Sequence, residues 1–141
     1  MKKIFPLLLL CFVIISCSEK EEKNLCEVMK YGTFDVYQKD IKVGTFYRKD
    51  SLQVETYVGK KITGLTKVKE LSECKYMLRS YWAKQKLDTM NFTATYSMND
   101  EDEIVYEMSP TYMDTEIKLR GKIVKVSDSI STEILKKFGK Q

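Results

Sequence analysis

The chain contains no histidine, which limits the chemistry its side chains could perform. Histidine is the commonest general base and the commonest metal-ligating side chain. Without it the plentiful serines and threonines have no ordinary triad partner. Three groupings remain. Cys26 and Cys74 offer thiol chemistry as a disulfide, as two free thiols or as a redox pair; their wide separation and the absence of a C-x-x-C motif weigh against redox catalysis. Arg48 followed by Gln53-x-Glu55 would make a polar constellation if the three shared one site. The alternation of Leu52, Val54, Thr56 and Val58 points those residues inward. It turns Gln53 and Glu55 outward, beside Arg48 at its strand end, so an exposed cross-strand set is expected. The third grouping is Asn99-Asp100-Glu101-Asp102-Glu103, whose hard oxygens suit Ca²⁺ but lack the D-x-D-x-D-G spacing. It reads as a solvated hairpin tip. No glycine-rich phosphate loop or metal-ligand cluster appears. No catalytic residue, metal site or cofactor is assigned, and the chain reads as non-enzymatic.

The amino-terminal stretch carries a more specific pattern. Lys2 and Lys3 precede an apolar run, Ile4 to Ile15, of about 12 residues. That length suits a signal peptide and falls short of the ~20 residues needed to span a bilayer. Ile14-Ile15-Ser16-Cys17 then resembles the bacterial lipobox. The resemblance implies cleavage between Ser16 and Cys17, a diacylglycerol on the Cys17 thiol and acylation of the new amino terminus. Several chains, at ~0.8 kcal/mol per buried methylene, anchor a protein stably where a single chain does not. Ser18, rather than Asp, after the cysteine points toward the outer membrane. Ser18-Glu19-Lys20-Glu21-Glu22 resembles the acidic tether of surface lipoproteins in Bacteroidetes. The expected organisation is a signal peptide over 1–16, an acidic tether over 17–25 and one domain over 26–141. The expected location is the cell envelope, lipid-anchored, with the outer membrane favoured. In an exported chain the pair Cys26 and Cys74 reads as a disulfide.

Composition bounds the partners. Taking Lys2 and Lys3 from 24 basic residues leaves 22 against 20 acidic ones, a formal charge of +2 on the mature chain. The two signs are interspersed, which argues against a nucleic-acid partner. The partners expected are membrane lipid through acylated Cys17 and either a hydrophobic ligand or an envelope protein.

The elements that position these residues follow a period of two. Thr33 to Tyr37, Val43 to Arg48, Leu52 to Val58, Ile62 to Glu70, Cys74 to Trp82, Asn91 to Met98 and Glu103 to Met108 read as strands, separated by short polar turns. Met113 to Leu119 and Gly121 to Val126 read as a hairpin about Arg120-Gly121-Lys122. Ser127-Asp128-Ser129 caps a short helix, Ile130 to Phe138, with Ile130, Ile134, Leu135 and Phe138 on one stripe. The fold class is all-β: an antiparallel meander of about eight strands, closing as a small barrel or half-barrel of lipocalin-like form, with a short C-terminal helix. Nine tyrosines and one tryptophan suit either a solid core or the lining of a ligand cavity.

Gly32-x-Phe34, Arg48 with Gln53-x-Glu55, and Cys74-x-Tyr76-x-Leu78 resemble, in this order, a small Bacteroidetes family of β-rich proteins without assigned biochemistry. The resemblance covers about Cys26 to Leu78; the tryptophan that often precedes the second cysteine is absent here. Some members carry a DNA topoisomerase IV label, an activity that a chain of 141 residues is too short to support. Asp50-Ser51-Leu52, Asp88-Thr89-Met90 and Asp128-Ser129-Ile130 each resemble the Asp-Ser/Thr-apolar acceptor of Bacteroidetes O-glycosylation, which implies Ser51, Thr89 and Ser129 as acceptors. The expected function is a non-enzymatic binding or structural role on a membrane anchor. An accessory enzyme or inhibitor acting on envelope substrates is the alternative. Cys17→Ala should move the protein from the membrane fraction to the soluble fraction of its host. Retention in the membrane after that substitution would falsify the lipid anchor.

Overall fold

The computed structural model describes residues 24–59, 63–81, 91–111 and 117–139. Ser16, Cys17, Trp82 and Thr89 lie outside them, as do most of the tether and most of the expected strand Met113 to Leu119.

Eight strands form a closed barrel in chain order: β1 (Tyr31–Gln38), β2 (Ile41–Lys49), β3 (Leu52–Tyr57), β4 (Thr63–Ser72), β5 (Lys75–Tyr81), β6 (Asn91–Met98), β7 (Ile104–Pro110) and β8 (Leu119–Ser127). Each pairs antiparallel with its neighbours, and β1 pairs with both β2 and β8. Closure leaves no strand edge open to another chain. The expected all-β meander is therefore a full barrel and not a half-barrel.

Alternation supplies the core. Phe34, Phe46, Val68, Tyr76, Leu78, Ala94, Tyr96, Tyr106 and Ile123 point into the barrel from seven of its strands. Helix α1 (Leu25–Val28), capped by the Asn24 side chain, sits at the end where β1 begins and inserts the fully buried Met29 among them. Cys26 and Cys74 hold it there: their sulfurs are 1.97 Å apart, tying α1 to the β4–β5 turn. Lys125 of β8 adds a polar clasp. Its ammonium lies 5.5 Å from the centroid of the Phe34 ring and donates to the Val28 carbonyl at 3.2 Å.

Helix α2 (Thr132–Phe138) packs outside the barrel. The expected cap at Ser127-Asp128-Ser129 falls elsewhere: Ser127 ends β8 and the N-cap is Ser131, which accepts from the Ile134 amide, while Ile130, Ile134 and Phe138 cover Val54. Tyr47, Leu52 and Leu65 complete this second, external core.

That external core reverses the expected orientation of β3. Val54 faces outward beneath α2, while Gln53, buried to 4 % exposure, and Glu55 face the lumen. The alternation was read correctly, but its apolar face was assigned to the wrong side. Both faces of β3 are covered, and the apolar one is covered by the helix.

A second correction concerns Arg120-Gly121-Lys122. These residues do not turn the chain; β8 runs straight through them, with Gly121 paired to Tyr106. A Cβ on Gly121 would stand 2.1 Å from the Tyr37 carbonyl oxygen and 2.8 Å from a Tyr106 ring carbon. The glycine is there because a neighbouring strand and ring pass where a side chain would be.

The crosslink closes a loop of 48 residues. On the chain-entropy estimate, Cys26→Ala with Cys74→Ala should lower stability by about 4 kcal/mol, read as a drop in the urea midpoint with a slope that rises as the unfolded chain expands. An unchanged midpoint would show that α1 is held by packing alone.

Candidate functional site

The lumen is divided into two halves. Toward α1 it is filled by Met29, Phe34, Arg48, Tyr76 and Tyr96. Toward the opposite end, where β1 meets β2 and β3 ends, it opens into a cavity of about 330 Å³. Its walls are mainly apolar: Val36, Val43, Phe46, Leu78, Phe92, Ala94, Met108, Leu119 and Ile123. Gln38, Gln53, Glu55, Tyr57, Ser80, Tyr96 and Tyr106 bring polar atoms into it.

The floor of the cavity is a chain of hydrogen bonds that begins at Arg48. Arg48 is only 1 % exposed and lies at the centre of a β core. Nε donates to Gln53 Oε1 at 2.9 Å, and Nη2 donates to the same oxygen and to the Tyr96 hydroxyl at 3.0 Å. Nη1 points to the Met29 carbonyl at 3.4 Å. The rings of Phe46, Tyr76 and Tyr96 lie 5.1, 5.3 and 5.4 Å from its central carbon. A buried cation is costly unless hydrogen bonds and ring faces replace its water, and here they do.

The counter-charge lies one residue further away. Gln53 Nε2 donates to Glu55 Oε1 at 2.6 Å, so the amide links cation and anion with its oxygen toward Arg48 and its nitrogen toward Glu55. Glu55 Oε1 also accepts from Thr66 Oγ1 at 3.0 Å, and Oε2 accepts from the Tyr57 hydroxyl at 2.7 Å. Thr66 lies 3.3 Å from the Ser80 hydroxyl. Burial, and secondarily the Glu55 charge, push the Tyr57 phenol well above its ordinary pKa. Tyr57 therefore remains a donor to Glu55. By linkage its contribution to stability is complete below the ordinary phenol value near 10 and declines as pH rises beyond it. Burial likewise raises Tyr76, with Glu70 adding to the effect.

Arg48, Gln53 and Glu55 were expected to lie exposed on the outside of the strand pair, and the structure contradicts this. The register Arg48↔Gln53 across the β2–β3 turn puts both side chains on the same face of the sheet. That face is the lumen because Phe46, two residues before Arg48, points there.

The other expected sites do not join this cluster. Ser51 and Ser129 are exposed at turns, while Thr89, Ser16 and Cys17 lie outside the described residues. The Asn99 side chain accepts from the amides of Glu101 and Glu103, and Glu103 pairs with Lys122 at 3.2 Å. Among the described residues no group of three or more Cys, Asp or Glu side chains is placed to hold a metal. No family model, curated protein or solved structure matches the chain.

Gln53→Leu keeps the volume and removes the relay, leaving Arg48 and Glu55 without their shared partner. We expect a loss of about 3 kcal/mol or more in denaturant unfolding. Gln38→Leu, which removes one hydrogen bond to Tyr106, should cost no more than about 1.5 kcal/mol. Equal losses in the two variants would show that the relay has no special weight.

Proposed function

We propose that this chain is a lipid-anchored envelope protein whose barrel binds a small, largely apolar molecule and does no chemistry on it. The observation that carries the reading is the cavity itself. A closed barrel of eight strands encloses enough space for side chains alone or for one small ligand. In this barrel one half is packed and the other is left with about 330 Å³. That volume is at the lower end of ligand pockets, and apolar walls with a few convergent polar groups are their usual lining. The anchor is carried by the lipobox resemblance at Ile14-Ile15-Ser16-Cys17, and the outer-membrane location by Ser18 and the acidic residues after it.

Gly64 provides the test. It lines the cavity, and a Cβ there would meet only Glu55 atoms, at 3.6 and 3.7 Å, which is ordinary contact. Gly64→Phe should fill the cavity without straining the backbone. The wild-type domain should enhance the fluorescence of an apolar dye, and domain purified from its host should carry a small-molecule mass in native mass spectrometry. The variant should lose both while keeping its circular dichroism. Dye enhancement that persists in Gly64→Phe, together with a bare mass for the wild type, would overturn the binding reading.

A further inference from the structure

We infer that the barrel selects its ligand by head group: it takes an amphipathic molecule with a cationic amine at Glu55 and disfavours the same chain ending in a carboxylate. This rests on the cavity being a ligand site.

Among the described residues, the charged side chains in the lumen are Arg48 and Glu55, and they are not equally available. Arg48 does not line the cavity; Gln53, Tyr96 and the Met29 carbonyl occupy its donors, and three rings surround it. Glu55 does line the cavity. Its Oε1 already accepts from Gln53 and Thr66, whereas among the described residues Oε2 accepts from Tyr57 alone. A carboxylate oxygen has room for a second donor. The strand opposite leaves that approach open, because Glu55 is paired with Gly64. A molecule in the cavity therefore meets the anion of the pair and is separated from the cation by the Gln53 amide.

The electrostatic consequence is asymmetric. Among the described residues the two lumen charges, Glu55 and Arg48, balance each other. An ammonium brought to Oε2 gains a charge-assisted hydrogen bond. A carboxylate brought to the same place meets a like charge, and the Tyr57 hydroxyl there is already turned to Glu55. An alcohol donates one neutral hydrogen bond and should fall between them. The apolar tail of each is served equally by Leu78, Phe92, Met108 and Ile123.

The experiment displaces an apolar dye from the purified domain with decylamine, decanol and decanoate at neutral pH and low salt. The amine should bind about tenfold or more tighter than the carboxylate, with the alcohol intermediate. Glu55→Gln should bring the three to within about threefold of one another. Should that variant not fold because Arg48 loses its counter-charge, Tyr57→Phe decides the matter. It frees Oε2 of its present donor at a half-exposed position and should strengthen the amine several-fold, the alcohol by less and the carboxylate not at all. Gly64→Phe separates the two readings. If it abolishes displacement by all three probes but decanoate binds the wild type as well as decylamine does, the head-group inference fails and the cavity stands. If none of the probes responds to Gly64→Phe, binding is at the surface and the cavity reading fails with it.

Discussion

A guanidinium enclosed in a β-barrel needs a complete set of acceptors, and meeting that need at Arg48 constrains most of the surrounding structure. Gln53 must face inward with its amide oxygen toward the cation, which sets the side of the sheet that the odd-numbered residues of β3 occupy. Tyr96 must reach across from β6, and the Met29 carbonyl must be presented from the end of α1. Three separate parts of the chain are thereby fixed by one side chain. Leaving such a group unpaired costs several kcal/mol, a large share of a small domain's whole stability. Packing, the Cys26 and Cys74 sulfurs and the Lys125 clasp hold α1 where Arg48 needs it.

The same arrangement separates the barrel into a filled half and an open half. Aromatic rings and Met29 fill the space around Arg48. Beyond Gln53 the inward residues become small or absent: Gly44, Gly64, Ala94 and Ser80 all border the cavity. Eight strands set the diameter of the tube, and side-chain size along each strand decides how much of it is occupied. The polar atoms at the boundary are those the cation requires, so the floor of the cavity and the support of the packed half are a single network. The selectivity proposed above would come from the way the barrel stabilises its own buried charge.

Much of this architecture was legible in the chain. Period-two alternation marked most of the strands, the stripe Ile130, Ile134, Leu135 and Phe138 marked α2, and the even cysteine pair marked the tie between α1 and the β4–β5 turn. The readings that failed did so for identifiable reasons. Glycine usually signals a turn, whereas Gly121 yields space to the Tyr106 ring and the Tyr37 carbonyl. Gln53 and Glu55 were placed outside because polar residues ordinarily face water. The short β2–β3 connection contained the corrective signal. It pairs Arg48 with Gln53, and Arg48 shares its parity with Phe46 and Gly44 on a strand whose inner face is otherwise clear.

The sequence by itself determined the class of the fold, because hydrogen-bonded strands with alternating side chains need only local pattern and turns to specify them. It also carries Ile14-Ile15-Ser16-Cys17, whose resemblance to a lipobox depends on spacing along the chain and on no tertiary contact. Only the tertiary structure decided which face of β3 is the interior. A period of two distinguishes two faces without saying which is inside, and α2, which follows β3 by some 75 residues, supplies the apolar cover that turns Val54 outward. Once that side is chosen, the polar face has nowhere to go but the lumen. A weak scatter of Arg48, Gln53 and Glu55 along the chain then becomes a connected network at the base of a cavity.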